Sequence, residues 1–294
     1  MTITSTVYAK INISLDIISK RSDGYHNLKT IMQSINLCDK IVIRCIPGED
    51  IKVSTNLAYI PDDTNIAAKA ASIFFTFTGI KGYSTNIQIE KKIPVGAGLG
   101  GGSTDAAGVL VMLDSLFDTR LGRKKLEELA EKIGADVPFC IKGGTQLAQG
   151  IGEKLTDLPS IPESYIVVCK PLFSCSTPEL FSQVKCEKLT TRPDTDGLIK
   201  ALSEGSINDI ARRMYNVFED VIGYGKTDID SIKNILLDYG ALGAIMTGSG
   251  PAVFGLFDTY DKAEIAFRRL NEKYSECFLA KTIDTASSII MQEV

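Results

Sequence analysis

Residues 94–104 have the sequence Pro-Val-Gly-Ala-Gly-Leu-Gly-Gly-Gly-Ser-Thr, with five glycines in seven positions. Polar and apolar residues alternate before this run, at 86–91, and apolar residues recur at helical spacing after it, from Ala106 to Phe117. The run therefore joins a strand to a helix. Glycines let backbone N–H groups approach an anion, and a helix N-terminus adds about half a positive charge. This arrangement predicts a phosphate-binding loop, whose candidate residues are Pro94, Val95, Gly96, Ala97, Gly98, Leu99, Gly100, Gly101, Gly102, Ser103 and Thr104.

Three familiar glycine loops differ from this one. The Walker pattern requires lysine where Gly102 stands. The dinucleotide pattern G-x-G-x-x-G fits the spacing, but a Rossmann unit continues from its helix into a strand, and here a second helix is predicted at 123–133. The protein-kinase loop fits as well, yet the sequence has no H-R-D or D-F-G. A turn that serves only close helix–strand packing is the remaining alternative, although packing needs fewer glycines.

The N-terminal segment alternates with a strict period of two. One face carries Val7, Ala9, Ile11, Ile13, Leu15 and Ile17, and the other carries Tyr8, Lys10, Asn12, Ser14 and Asp16. This pattern is typical of a half-buried strand. It places the side chains of Lys10 and Asn12 next to each other on the polar face.

Other patterns predict a mixed α+β chain. Further strands are expected at 41–46, 51–54, 86–91, 165–170, 242–247, 252–257 and 278–284, with a hairpin or strand at 143–155. Further helices are expected at 65–78, 123–133, 207–222, 228–239 and 261–274. Two prolines in the polar stretch 157–164 mark a candidate domain boundary.

Length and charge narrow the class of protein. The 294 residues suggest roughly two domains, and 32 basic against 36 acidic side chains leave a net charge of −4. Nucleic-acid binding is not expected, because it would require a basic domain. His26 is the single histidine, so the sequence excludes a histidine-rich metal site and any mechanism that needs two histidines.

Cysteine usage and hydropathy indicate a cytoplasmic protein. None of the seven cysteines forms a C-x-x-C pair, and free thiols in a reducing compartment are expected. The N-terminus lacks the basic region and continuous apolar core of a signal peptide. No run of eighteen apolar residues occurs, so neither a membrane span nor a membrane partner is expected.

Three segments resemble the motifs of the GHMP kinases, the family of galactokinase, homoserine kinase and mevalonate kinase. Residues 94–107 look like the second motif of this family, Thr247-Gly-Ser-Gly-Pro-Ala-Val-Phe254 like the third, and Ala9-Lys-Ile-Asn-Ile-Ser-Leu15 like the first. Each motif alone is weakly specific, but together they occur in the family's order and cover most of the chain.

Three further stretches resemble one branch of the family, which phosphorylates a cytidine diphosphate sugar alcohol on the non-mevalonate route to isoprenoid precursors. They are Arg21-Ser-Asp-Gly-Tyr-His26, Gly134-Ala-Asp-Val-Pro-Phe139 and Gly150-Ile-Gly-Glu153. Two positions depart from the branch pattern. Gln149 stands where a basic residue is expected, and Cys140 where a larger apolar one is expected.

The resemblance implies a two-domain α+β fold of the GHMP-kinase type with the active site in the cleft between the domains. Residues 1–157 would form the N-terminal domain with the ATP loop, and residues 164–294 a ferredoxin-like α+β C-terminal domain. It implies ATP-dependent phosphorylation of the 2-hydroxyl of the sugar alcohol, with ATP and Mg²⁺ as cofactors, by a monomer or homodimer. The alternatives are another GHMP kinase, acting on homoserine or mevalonate, and a non-catalytic nucleotide-binding protein of the same fold.

The resemblance also implies two catalytic residues. Asp136 would accept the proton of the substrate hydroxyl, a role that suits a carboxylate, and Lys10 would lie beside it. Asn12 would bind the hydroxyls or phosphates of the substrate. By local sequence alone, Asp136 could instead cap a helix, since Asp-Val-Pro is also a capping pattern, while Lys10 and Asn12 could be ordinary polar residues of a strand.

The ATP end of the site includes residues that also have simpler explanations. Asn65 and Lys91 occupy positions that the family uses near the adenine, but a helix-capping asparagine and a solvated lysine are equally compatible with the sequence. Ser103 and Thr104 could bind phosphate or Mg²⁺, and both could cap the helix that follows. The metal ligands are therefore left unassigned.

The acceptor end is expected to bind a cytosine. The resemblance places Tyr25 and Phe181 on either face of the base and has His26 contact its polar edge, while Thr177 lines the same pocket. Stacking of a base on an aromatic ring contributes about 1–3 kcal/mol. A histidine in a turn after Asp23-Gly24 is the alternative for His26.

Overall fold

The structure is a computed structural model that describes residues 1–57, 65–284 and the backbone of 289–293. Its strands are β1 (Thr2–Lys20), β2 (His26–Pro47), β3 (Ile51–Thr55), β4 (Tyr83–Glu90), β5 (Thr145–Gly150), β6 (Lys154–Asp157), β7 (Tyr165–Lys170), β8 (Tyr215–Asn216), β9 (Gly243–Met246), β10 (Val253–Phe257), β11 (Glu276–Lys281) and β12 (Ile289–Glu293). Its helices are α1 (Ile66–Thr78), α2 (Gly101–Leu116), α3 (Gly122–Glu131), α4 (Val137–Lys142), α5 (Thr177–Gln183), α6 (Thr195–Ser203), α7 (Ile207–Arg213), α8 (Lys226–Asp238) and α9 (Tyr260–Asn271).

The first sheet is built around the long antiparallel pair β1 and β2. Strand β4 pairs with β2 and with β3, while β5 pairs with another part of β2 and with β6. Helices α1, α2 and α3 pack their apolar residues against this sheet and form one core with it. Between β1 and β2 the register shifts at Tyr8/Lys10, at Asn12/Ser14 and at Ile17/Ser19. Such bulges re-aim side chains, and the first two flank Lys10 and Asn12.

The second sheet has the antiparallel order β11-β7-β10-β9. With α8 before β9 and α9 before β11, this is the ferredoxin-like β-α-β-β-α-β arrangement with α5, α6, α7 and β8 inserted after its first strand. A further core joins the two sheets. It contains Ile11 of β1, Val168 of β7 and Phe254 of β10, together with Ala97 and Leu99 of the glycine loop.

Several sequence predictions are confirmed. Helix α1 ends as expected at Gly79, whose φ of 70° is left-handed and whose N–H bonds to the carbonyl of Phe75. A second helix, α3, follows α2, so the glycine loop does not open a Rossmann unit. Strands β7, β9 and β10 lie within one residue of their predicted bounds.

Two predictions of local structure are wrong, and three short helices were missed. Strand β1 is buried on both faces, because the core between the sheets covers one face while Ser14 and Asp16 on the other are also shielded. The helix predicted at 207–222 breaks at Met214 into α7, β8 and a 3-10 turn over Val217–Asp220. Helices α4, α5 and α6 were not predicted, because each is too short to display a helical period.

The strand pairing changes at the proline stretch 157–164, which lies between the last hairpin of the first sheet and β7. Two later segments nevertheless return to the first sheet, because β8 pairs in parallel with β1 and β12 pairs antiparallel with it. A single domain boundary in the sequence therefore does not separate the two sheets completely. In the described ranges, no helix is long and apolar enough to cross a membrane.

Candidate active site

A cleft of about 660 Å³ is lined by residues of β1, of the glycine loop, of the segment before α4 and of α5. This volume is within the range of small-molecule sites, about 300–1,000 Å³. From the predicted site residues, its lining includes Lys10, Asn12, Tyr25, His26, Gly96, Gly98, Gly100, Ser103, Asp136, Thr177 and Phe181. Residues that lie far apart in the sequence therefore share one cavity.

The glycine loop alternates buried anchors with open backbone. The side chains of Ala97 and Leu99 are 2% and 1% exposed in the core between the sheets, whereas the intervening glycines line the cleft. In the described part of the chain, none of the N–H groups from Gly98 to Ser103 donates to a protein acceptor. A row of free N–H groups that ends at the N-terminus of α2 is suited to binding phosphate oxygens.

A second glycine turn, Thr247–Pro251, packs directly on this loop. A Cβ on Gly98 would overlap the carbonyl oxygen of Thr247, so only glycine fits there. The N–H of Ala252 donates to the carbonyl of Ala97 (3.3 Å), and Gly248, Ser249 and Gly250 of the turn line the cleft. The two backbone loops thus form a continuous cradle.

The catalytic pair predicted from the sequence is assembled in this cleft. Lys10 Nζ lies 3.2 Å from Oδ2 of Asp136, and the Lys10 stem runs under Gly100, where an added Cβ would meet its Cγ at 3.0 Å. The side chain of Asp136 makes no capping hydrogen bond to α4. The capping alternative is therefore wrong, and the carboxylate, 38% exposed, is free to accept a proton from a bound hydroxyl.

Asn12 holds the lysine in place. Its Oδ1 accepts a hydrogen bond from Lys10 Nζ (2.7 Å), and its Nδ2 donates to Oγ1 of Thr30 (2.8 Å). Its backbone N–H donates to Oγ1 of Thr247 (3.0 Å). Asn12 is 2% exposed and lines the cleft, so its side chain both orients Lys10 and faces the space where a substrate would lie.

Comparison with known proteins places the chain in a family. The descriptions "GHMP kinases N terminal domain" and "GHMP kinases C terminal" match residues 65–144 and 198–276. The chain belongs to the GHMP kinase family. It is 46% identical over 280 residues to the 4-diphosphocytidyl-2-C-methyl-D-erythritol kinase of Clostridium botulinum, covering 95% of this chain and 99% of that protein. A relative of the same name from Clostridium kluyveri is 45% identical over 277 residues, or 94% of this chain and 98% of the relative.

Solved structures agree with this assignment. The crystal structure of a 4-(cytidine 5'-diphospho)-2C-methyl-D-erythritol kinase superposes on this GHMP kinase with a TM-score of 0.79 and 31% identity, covering 95% of this chain and 98% of the other. Homoserine kinase from Cytophaga hutchinsonii superposes with a TM-score of 0.78 at 18% identity, covering 99% of this chain and 97% of the other. At that identity the second likeness concerns the fold alone.

Three of the predicted aromatic residues of this GHMP kinase, Tyr25, His26 and Phe181, line the same cleft. The rings of His26 and Phe181 stack with centroids 5.2 Å apart, and Phe181 meets Phe218 edge to face. A base between two rings needs two contacts of about 3.5 Å each, so it cannot enter between His26 and Phe181 as they stand. Tyr25, 61% exposed, lies in the turn between β1 and β2 and lines the cleft. Thr177, at the start of α5, bonds through its hydroxyl to Ser249 of the second glycine turn (2.6 Å).

The imidazole of His26 is buried but incompletely paired. Its Nε2 has no hydrogen-bond partner among the described residues, although the side chain lines the cleft. Burial, reinforced by the positive charge of Lys20, lowers the pKa of His26, so the ring is neutral at neutral pH. An unpaired nitrogen in a neutral ring is suited to a hydrogen bond with the polar edge of a base.

Three residues predicted at the ATP end have other partners. The ammonium of Lys91, 4% exposed, lies between the carboxylates of Asp39 (2.5 Å) and Asp105 (2.6 Å), so it is neither solvated nor part of the cleft lining. Asn65 caps α1 by accepting the N–H of Ala67 (2.9 Å). Thr104 lies within α2, where its buried hydroxyl donates to the carbonyl of Tyr8 (2.7 Å) and faces away from the cleft.

The residues for a divalent cation are few. In the described ranges, no group of three or more His, Cys, Asp or Glu side chains could hold a metal ion. Ser103 and Asp136 both line the cleft near the cradle. Mg²⁺ in phosphoryl-transfer sites is held largely by substrate phosphates, so the Ser103 hydroxyl suits it, while Asp136 is paired with Lys10.

The two departures from the branch pattern leave the Lys10–Asp136 ion pair in place. Gln149 lies on β5 opposite Lys29 of β2 and Lys154 of β6, so lysines flank the position where a basic residue was expected. Cys140 is buried one turn after Asp136, and burial together with that carboxylate raises the pKa of its thiol to about 12. The thiol is therefore neutral and does not compete for protons.

Sequence reasoning missed the residues that support the second glycine turn. Asn216, 1% exposed, donates through Nδ2 to the carbonyls of Met246 (2.7 Å) and Gly248 (2.8 Å). Glu219 accepts the N–H of Met246 (2.7 Å) and pairs with Lys233. The predicted helix at 207–222 concealed both, since an interrupted helix and a continuous one can share an apolar pattern.

Proposed function

We propose that this GHMP kinase transfers a phosphoryl group from ATP to the 2-hydroxyl of 4-diphosphocytidyl-2-C-methyl-D-erythritol. One observation carries the proposal. The Lys10–Asp136 pair lies in the same cleft as a glycine cradle on one side and the rings of Tyr25, His26 and Phe181 on the other. Names of relatives that are 45–46% identical over nearly the whole chain support the same substrate.

The cradle would hold the phosphates of ATP. The free N–H groups from Gly98 to Ser103, aided by the N-terminus of α2, supply the positive field that the net charge of −4 does not. Lys10 would attract the transferred phosphoryl group as charge spreads over its oxygens. Ser103, which lines the cleft at the start of α2, would hold Mg²⁺ together with the phosphate oxygens, and the cation would supply further neutralisation of the phosphate charge.

Asp136 would act as the general base. Its carboxylate lines the cleft beside Lys10, whose ammonium fixes its orientation. A hydroxyl held against this oxygen would lose its proton as it attacks the phosphoryl group in line. The phosphoryl group would pass directly to the acceptor, without a covalent enzyme intermediate.

The aromatic end would select the acceptor. Tyr25 and Phe181 would stack on the cytosine, and the unpaired Nε2 of His26 would bond its polar edge. Thr177 would line the pocket where the diphosphate passes the second glycine turn. Homoserine and mevalonate offer no base to stack, so an aromatic end would serve no purpose for them.

An ADP-release assay on the purified protein tests the proposal. The acceptors are 4-diphosphocytidyl-2-C-methyl-D-erythritol, mevalonate and homoserine, each with ATP and Mg²⁺. We expect turnover of the cytidylyl compound alone. Turnover of homoserine or mevalonate in its place would assign another GHMP kinase activity, and ATP binding without any turnover would favour a non-catalytic protein.

The wider organisation is part of the same proposal. We assign residues 1–157 to the domain that holds the ATP loop and residues 164–294 to the domain that completes the acceptor pocket, with β8 and β12 docking back on the first sheet. A cytoplasmic monomer or homodimer without a nucleic-acid or membrane partner fits a chain of this composition.

A further inference from the structure

A cluster of three buried ionisable side chains lies behind the glycine loop. Asp39, Lys91 and Asp105 come from β2, from the segment after β4 and from α2, and their side chains are 0%, 4% and 4% exposed. None of them lines the cleft or takes part in the chemistry proposed above. Burying three such groups costs free energy even when they pair with one another, so the cluster calls for an explanation.

Asp39 fixes the backbone that leads into the loop. Its Oδ1 accepts the N–H groups of Lys92 (2.6 Å) and Ile93 (2.8 Å), the two residues immediately before Pro94. Its Oδ2 accepts a hydrogen bond from Lys91 Nζ (2.5 Å). One carboxylate therefore holds three successive residues at the point where the chain enters the loop.

Lys91 fixes the other end of the loop. Its Nζ donates to Oδ2 of Asp105 on α2 (2.6 Å), and it lies 3.3 Å from where a Cβ on Gly101 would be, directly behind the first residue of that helix. The backbone of Lys91 is itself held by Asn56, which accepts its N–H (2.8 Å) and donates to its carbonyl (3.2 Å). The cluster thus spans the loop from its entry to the helix that follows.

We propose that Asp39, Lys91 and Asp105 are positioning residues that hold the glycine loop in its phosphate-binding conformation without touching the nucleotide. The inference rests on the proposed nucleotide site, but not on the identity of the acceptor alcohol. The cluster acts through its hydrogen bonds and not through an added positive field, because the carboxylate of Asp39 offsets the charge of Lys91.

The test compares Lys91→Met and Asp39→Asn with Lys170→Met. Asp39→Asn retains an oxygen that can accept the two backbone N–H groups, so it isolates the link to Lys91. Lys170 is a matched control, because its Nζ forms an ion pair with Glu276 (2.6 Å) at 8% exposure in the second sheet. The readouts are the Kd of ADP by calorimetry, the KM values of ATP and acceptor, and the Tm.

We expect Lys91→Met and Asp39→Asn to raise the Kd of ADP and the KM of ATP by about ten- to hundredfold, because a displacement of about 1 Å in a site can cost that much. The KM of the acceptor should stay within about twofold of wild type. Lys170→Met should lower the Tm while leaving the Kd of ADP unchanged. A folded Lys91→Met protein with wild-type Kd for ADP would overturn the proposal, as would a failure of both cluster variants to fold, which would make the cluster a requirement of the fold alone.

Inorganic tripolyphosphate separates positioning from direct contact. If Lys91 acts through the loop, Lys91→Met should weaken tripolyphosphate and ADP by similar factors. If only ADP is weakened, Lys91 contacts the adenine and the proposal is wrong. Because these titrations need no acceptor, they decide the role of the cluster even if the protein does not phosphorylate the cytidylyl alcohol.

Discussion

The ammonium of Lys10 and the carboxylate of Asp136 lie 3.2 Å apart, although one belongs to the first strand and the other precedes a short helix late in the N-terminal half. The lysine is almost fully buried, whereas the carboxylate is 38% exposed to the cleft. The pair therefore presents a fixed cation behind an accessible carboxylate, the proposed base. This asymmetry is what a kinase of small alcohols needs, since the base must reach a substrate and the cation must not be displaced by water.

Asp136→Asn should lower kcat by at least about a hundredfold, because an amide cannot accept the hydroxyl proton and a general base typically contributes about 10²–10⁴. The KM of ATP should change little, since the cradle is formed by other residues. Steady-state kinetics measure both values, and an unchanged Tm would show that the fold is intact. Near-normal turnover would assign the proton transfer to another group.

Gly98→Ala should abolish measurable nucleotide binding, because its Cβ would overlap the carbonyl of Thr247 and force the two glycine loops apart. Gly79→Ala is the matched control. Its φ is also positive, at 70°, but a Cβ there meets nothing within 4 Å, so it should cost only about 1 kcal/mol of stability. Calorimetry with ADP gives the comparison, and equal Kd values for both variants would contradict the close approach of the loops.

Phe181→Ala should raise the KM of the cytidylyl acceptor by about ten- to hundredfold, the equivalent of about 1–3 kcal/mol of stacking. The KM of ATP should be unaffected. Phe173→Ala serves as the control, because Phe173 packs edge to face on Tyr224 and does not line the cleft. If both variants raised the acceptor KM equally, the effect would reflect packing of the domain and not stacking on the base.

Asp105→Asn should change the pH dependence of stability. Burial, with Asp39 beside it and Lys91 opposing, raises the pKa of Asp105 to about 8 in the folded state, against about 3.9 when unfolded. Between these values the folded chain binds the extra proton, so this carboxyl lowers the stability of the wild type progressively as the pH rises. In urea unfolding, the free energy of unfolding of the variant relative to that of the wild type should increase from pH 5 to pH 8 and stay constant above pH 8. Parallel stability curves would contradict this.

Local sequence patterns predicted those parts of the site that are formed by residues close together in the sequence. The glycine loop was recognisable because five glycines before a helix leave few structural alternatives. The alternation of β1 correctly placed Lys10 and Asn12 on one face, where Nζ and Oδ1 are 2.7 Å apart. The polar face of that strand was expected to be exposed, however, because periodicity reports which residues share a face and not what covers it.

Contacts between distant segments could not be predicted in the same way. The sequence allowed Lys91 to be a solvated lysine or an adenine contact, and the solvated description is wrong, because its ammonium is buried between Asp39 and Asp105. Asp136 satisfied the local pattern of a helix cap, yet its side chain makes no capping bond. Asn216 was hidden in a predicted helix that breaks two residues earlier.

The sequence by itself determined the phosphate loop, the shared face of Lys10 and Asn12, and the motif order that marks a GHMP kinase. Those features follow from backbone freedom, side-chain periodicity and residue order, all of which are properties of short segments. Only the tertiary structure decided which polar groups are buried and with whom. The partners of Lys10, Lys91 and Asn216 lie on other strands and helices, and their distances depend on how the two sheets pack around a common core.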